Sequence, residues 1–237
     1  VSSDYVPISA TVGSTTVTCY VFPEHAAAGR AVLKTTAGAL ALFDELYAPY
    51  GHSDLVVVEA DFPDGMEYDG FYFLGSEYYA AYGGSPKGYL TDIAAHETAH
   101  MWWYGLAGND QALEPWLDEA LATFSELLFY ERLYPDLVDW WWDFRVQRFY
   151  PRGWVNSTIY QHRGFRSYVD AVYLRGALFM RDLRELVGDE VLFAFLRDYA
   201  ARNAGRLATR EGFFSILAEH TPSDPGPVIE LYFDTLE

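Results

Sequence analysis

The stretch His96-Glu97-Thr98-Ala99-His100 constrains this chain more than any other, because it asks for a helix and for a metal at once. On an α-helix, residues four apart lie on one face about one turn, roughly 6 Å, from each other. Both imidazoles can therefore converge on one ion while Glu97 stands on the adjoining side. The surrounding residues, Thr91 to Tyr104, are apolar nearly all round, the mark of a buried helix. Two histidines and a carboxylate inside such a helix are costly unless something satisfies them, and a divalent cation does so. In this pattern the histidines hold zinc and the glutamate handles the proton of an attacking water.

Zinc needs a third protein ligand, and eighteen residues separate His100 from Glu119 in Glu114-Pro115-Trp116-Leu117-Asp118-Glu119-Ala120. Pro115 suits the start of a new helix, so Glu119 projects from its opening turns toward the first. The run HETAHMWWYGLAGNDQALEPWLDEALATFSE, His96 to Glu126, resembles the zinc-binding block of the membrane alanyl aminopeptidase family of gluzincins. That family's pattern is HExxH, eighteen residues, then the glutamate of WL(N/D)E. Met101 departs from it, standing where many relatives carry glutamine.

The resemblance implies further residues. Asp64-Gly65-Met66-Glu67-Tyr68 is similar to the family's G-x-M-E-N segment, with Asp64 at the opening glycine and Tyr68 at the final asparagine. There Glu67 is expected to hold a substrate's free ammonium, and the backbone around Gly65 and Met66 to pair with the peptide as an added strand. Tyr173-Leu174-Arg175-Gly176-Ala177 resembles the Y-x-K-G-A segment, which gives Tyr173 the role of hydrogen-bond donor to the oxyanion. Gly176 permits a close helix approach. Thr123, one turn after Glu119, is expected to support a metal ligand by hydrogen bonding.

Along the chain, Val6 to Phe22 alternates and reads as a hairpin or two edge strands, Glu24 to Tyr47 as a helix, and Leu55–Ala60 and Phe71–Leu74 as strands. The Asp64 to Gly70 stretch reads as a turn before a strand. Ser85-Pro86 is expected to cap the metal helix, which runs to about Tyr104. Helices follow over about 115–133, 137–149, 168–187, 189–203 and 209–220, with a short one near Pro227. His25, His52, His162 and His220 lie outside any ligand spacing, and the tryptophans at 102–103 and 140–142 read as core.

The expectation is one α+β, thermolysin-like catalytic domain over residues 1–237. A sheet-containing lobe covers 1–84, an all-helical lobe covers 85–237, and the zinc site lies in the cleft between them. A hydrophobic content of 51% is ample for such a core. The formal charge of -18 argues against nucleic acid and anionic membranes and favours cationic ligands such as a peptide's amine. Cys19 is the only cysteine, so no internal disulfide forms. No apolar stretch is long enough to span a bilayer. No targeting segment opens the chain at Val1, which suggests a processed protein or an excised domain; the compartment stays undetermined, with a lean to extracytoplasmic.

These readings converge on a zinc-dependent peptidase with one Zn2+ per chain, acting on peptides with a free N-terminus and flanked by further domains of a longer protein. A thermolysin-type endopeptidase is the alternative within enzymes. A zinc-bearing binding module without turnover is the alternative outside them, against which Glu97 and Tyr173 argue, since neither is needed simply to hold zinc.

Overall fold

A computed structural model describes residues 3–234, so the outermost ends of the two expected lobes lie outside the described residues. Strands β1 (Val6–Val12) and β2 (Thr15–Val21) form a hairpin around Gly13, whose φ of +56° suits glycine. After a 3-10 turn at Pro23–His25 comes α1 (Ala26–Leu46), then β3 (Asp54–Ala60), β4 (Gly65–Tyr68) and β5 (Phe71–Gly75). The sheet order is β1-β2-β3-β5-β4, with β2, β3 and β5 mutually parallel and antiparallel strands at both edges.

Side chains alternate across a strand, so one row of partners faces the core: Cys19 stands beside Val57 and Val57 beside Tyr72, all fully buried. Helix α1 covers this face. A Cβ on Gly29 would collide with the Val21 side chain, so only glycine allows that approach. Tyr72 Oη bonds with Thr36 Oγ1 of α1 (2.7 Å) and donates to the Ala94 carbonyl (3.3 Å) of the next layer.

The short α2 (Ser76–Ala80) and a turn-rich link lead to α3 (Tyr89–Ala99). This helix is shorter than expected at both ends. Gly88, at φ +148°, breaks the backbone before it, and the Pro86 carbonyl accepts from Tyr130 Oη (2.7 Å) instead of serving a helix start. At the other end the hydrogen bonds tighten to i→i+3 after His100 and the chain turns at Tyr104, a non-glycine residue at φ +134°.

A two-residue strand β6 (Ala107–Gly108) precedes α4 (Trp116–Leu133). Every residue of α4 from Trp116 to Tyr130 is buried, so its polar members Asp118, Glu119, Thr123, Ser125 and Glu126 need partners inside the protein. This helix is the axle of the helical part. Around it run α5 (Val138–Trp141), continued by a π-helical turn over Trp142–Val146, and α6 (Phe165–Tyr168), continued by a second π-helical turn over Val169–Leu174 into α7 (Arg175–Val187). Then come α8 (Asp189–Asn203), β7 (Arg206–Leu207, beside β6), α9 (Arg210–His220) and α10 (Gly226–Tyr232). The α+β class and the sheet-then-helices order are as expected. The stretch read as a turn is in part the strand β4, with the turn confined to Asp69-Gly70, where Gly70 has φ +81°.

Candidate metal centre and cleft

Helix α3 brings His96 and His100 to one face, and the first turn of α4 brings Glu119 opposite them. The His96 and His100 Nε2 atoms are 3.1 Å apart, and Glu119 Oε2 lies 3.1 Å from the first and 3.4 Å from the second. Donors bound tetrahedrally to zinc at its usual bond lengths stand about 3.4 Å apart. The tautomers follow from the partners behind the rings. His96 Nδ1 donates to Glu126 Oε1 (2.8 Å) and His100 Nδ1 to the Trp103 carbonyl (2.9 Å); a carboxylate and a carbonyl only accept. A metal taking the place of the proton that the surrounding carboxylates favour on each ring would meet two Nε2 lone pairs and a carboxylate oxygen turned toward one point, a donor set that fits zinc.

The outer partners are themselves held. Glu126, fully buried, accepts from Arg145 Nε and Nη2 (2.8 Å each) and from Trp141 Nε1 (3.2 Å). Burial opposes ionisation of Glu126, yet Arg145 and His96 hold its carboxyl below the ordinary range. Burial likewise opposes ionisation of Glu119, while hydrogen bonds from His100 and His96 hold it well below. The Trp103 carbonyl faces His100 because the chain turns at Tyr104, whose positive φ costs about 1–3 kcal/mol.

Glu97 is buried and its Oε2 has no hydrogen-bond partner. Burial pushes its carboxyl up to about 8, with the His100 and His96 imidazoles opposing and Glu67 and Glu119 adding to the rise. Strand β4 lies directly on it: a Cβ on Gly65 would overlap the Glu97 carboxylate. Glu67, also buried, joins Glu97 and His100 in a second group whose donor atoms lie within 4.8 Å of one another. Met66 lines the same cleft. Tyr68 points the other way, 38% exposed and stacked on Phe71 at 4.6 Å.

Tyr173 Oη donates to Glu119 Oε1 (2.5 Å), and its ring stacks on that of His96. Burial, then the Glu119 carboxylate, push the Tyr173 hydroxyl well above the ordinary phenol range, so it stays a donor. It reaches the site from the π-helical turn. Five residues apart, Tyr168 and Tyr173 face the same way across an i→i+5 turn, with rings 5.5 Å apart; an α-helix would separate them by about 0.4 of a turn.

Thr123 does not touch the Glu119 carboxylate. Its Oγ1 donates to the main-chain carbonyl of Glu119 (2.7 Å), the i−4 bond common for threonine inside a helix. Sequence reading missed Glu126, Arg145 and Gln111. A carboxylate seven residues, two turns, after Glu119 on the same helix face was the available signal for Glu126; Arg145 and Gln111 gave none. The cleft over these groups has a volume of about 760 Å³, with Phe62, Tyr78, Tyr89 and Phe165 among its walls.

Comparison with known proteins gives the family of the chain. Residues 32–232 match the peptidase family M1 domain. Human aminopeptidase O is 26% identical over 224 residues, spanning 80% of this chain and 27% of that protein. The M1 zinc metallopeptidase of Deinococcus radiodurans superposes with a TM-score of 0.67 at 20% identity, over 97% of this chain and 51% of that one. A mutant of an M1 zinc metallopeptidase from the same organism, bound to a Tyr-Ser-Ala substrate, gives 0.69 at 19% identity, over 98% and 53%. The structural likeness is one of fold, and the chain spans about half the length of those two structures and about a quarter of the human relative. The match to the domain model covers most of the chain: it belongs to peptidase family M1, a family of zinc metallopeptidases.

Proposed function

We propose that this chain is the catalytic domain of an aminopeptidase, in which His96, His100 and Glu119 hold one zinc ion. The observation that carries the reading is the meeting of two donor groups at His100: the His96, His100 and Glu119 triangle, and the Glu67, Glu97 and His100 cluster within 4.8 Å. A peptide's ammonium and its first carbonyl are separated by one Cα. An ammonium held by Glu67 therefore brings the first peptide bond to Glu97 and the metal ligands.

Zinc bound there supplies Lewis acidity toward a water and a carbonyl oxygen. Glu97, which lines the cleft and has an unbonded Oε2, takes the proton of the attacking water and passes it to the leaving amine. Tyr173 turns its hydroxyl from Glu119 to the carbonyl oxygen as charge develops there, a contribution of about 3–4 kcal/mol for one oriented donor. Gly65 and Met66, on the edge strand β4, offer main-chain groups to an extended peptide.

The test is hydrolysis of matched free and N-acetylated peptides by the zinc-loaded protein and by Glu97→Gln, followed by mass spectrometry. Stepwise loss of single residues from free peptides only, abolished in the variant with zinc content unchanged, is the expected result. Internal cleavage of both forms would replace the reading with an endopeptidase. Zinc binding without cleavage would replace it with a binding module, and full activity in Glu97→Gln would remove Glu97 from the mechanism.

A further inference from the structure

One polar side chain in the cleft has no part in the reading above. Gln111 sits on the turn before α4, which Asp110 shapes by accepting from Ala112 N (3.0 Å) and Leu113 N (3.1 Å) through Oδ1. Its Nε2 donates to Glu67 Oε1 (2.8 Å) and to Asp118 Oδ2 (3.0 Å). Both partners are carboxylates, so the orientation of the amide is fixed by chemistry: the nitrogen, with its two hydrogens, lies between them.

Glu67 and Asp118 are 7% and 1% exposed, while Gln111 itself is exposed. Glu67 stands on an edge strand and Asp118 on α4, beside the ligand Glu119, whose amide donates to Asp118 Oδ1 (2.8 Å). Two buried carboxylates on separate elements repel, and a glutamate side chain has considerable rotamer freedom to lose when held. Among the described residues the Glu67 carboxylate accepts no side-chain hydrogen bond other than the one from Gln111.

We propose that Gln111 is the positioning residue for recognition of the substrate's free ammonium. It ties Glu67 to the segment that carries Glu119, occupying one carboxylate oxygen and leaving the other to the ammonium. This rests on the role of Glu67 given above, and it makes the distance between ammonium and scissile carbonyl a property of the Glu67–Gln111–Asp118 strap.

The test uses the zinc-loaded protein with Gln111→Met, equal in length but without an N–H, and Gln111→Glu, which sets a third carboxylate between the other two. For free peptides KM rises roughly tenfold, the loss expected for a hydrogen bond to a charged group, while kcat stays within about twofold. N-acetylated peptides stay uncleaved, and zinc content does not change. Calorimetric titration with leucinamide and N-acetyl-leucinamide reads the same selectivity without turnover. A wild-type protein that treats the two probes alike overturns the role of Glu67 and that of Gln111 together. A wild-type protein that prefers the free amine, with Gln111→Met preferring it by the same ratio, overturns Gln111 alone.

Discussion

The side chain that ties the proposed metal site to the core is Glu126. It accepts four hydrogen bonds, from His96, Trp141 and twice from Arg145, with no exposure to solvent. Glu126→Ala leaves the Arg145 guanidinium buried without its partner and frees the His96 ring. The expected cost is about 3–5 kcal/mol of stability, with zinc affinity falling roughly 10–100-fold. Urea denaturation and zinc competition with a chromophoric chelator check the two effects. Retention of both would mean that Arg145 and His96 find other partners. Glu126→Gln, which keeps an acceptor for one neighbour, falls between.

Among elements, the crossing of α4 and α7 is set by Gly176. A Cβ there would overlap the Ala120 side chain and reach its Cα at 3.0 Å, so Gly176→Ala is expected to destabilise by about 1–3 kcal/mol through overpacking. It also moves the segment that carries Tyr173, and peptidase activity falls more than stability does. Denaturation midpoints measured beside kcat/KM separate the two effects. At the junction of α4, α7 and α8, Arg184 bonds Glu131 (2.8 Å) and Asp189 (2.7 Å). The hydrogen bond from Arg184 holds the Asp189 carboxyl below the ordinary range. A carboxyl whose folded pKa is depressed stabilises the fold above its unfolded value, about pH 4, and loses that contribution as pH falls through the folded value. Asp189 is largely exposed, so the contribution is under about 1 kcal/mol. Asp189→Asn should therefore lower the urea midpoint at pH 7 by an amount that shrinks as pH falls below about 4; a shift that does not change with pH would trace the effect to helix capping rather than charge.

For the whole molecule, the cleft is assembled from β4, α3, α4 and the two π-helical turns, and the triangle of His96, His100 and Glu119 joins α3 to α4 within it. A zinc ion at a thousand times its dissociation constant adds about 4 kcal/mol to the folded state, so chelation should lower the melting temperature by roughly 10 °C for a chain of this size. Calorimetry with and without a chelator measures it, and an unchanged melting temperature would mean that the three donors are satisfied without a metal. The meeting of His96, His100 and Glu119 was legible in the sequence because its constraints are local. HExxH needs only one helical turn, and a fixed separation to a glutamate at a helix start needs only one reversal of the chain. Strand and helix order was legible for the same reason, through alternation in Val6–Val21 and apolar periodicity in Trp116–Leu133. The limits of α3 were not, since they depend on Gly88 and Tyr104 conformations and on a hydrogen bond from Tyr130. Nor was β4, whose four residues are a strand only because β5 pairs with them. The Glu126–Arg145 pair, the Gln111–Glu67 bond and the Glu119 partner of Tyr173 were decided by tertiary structure alone. Each joins segments separated by 19 to 54 residues, and burial makes such partners necessary without marking in the sequence which ones they are.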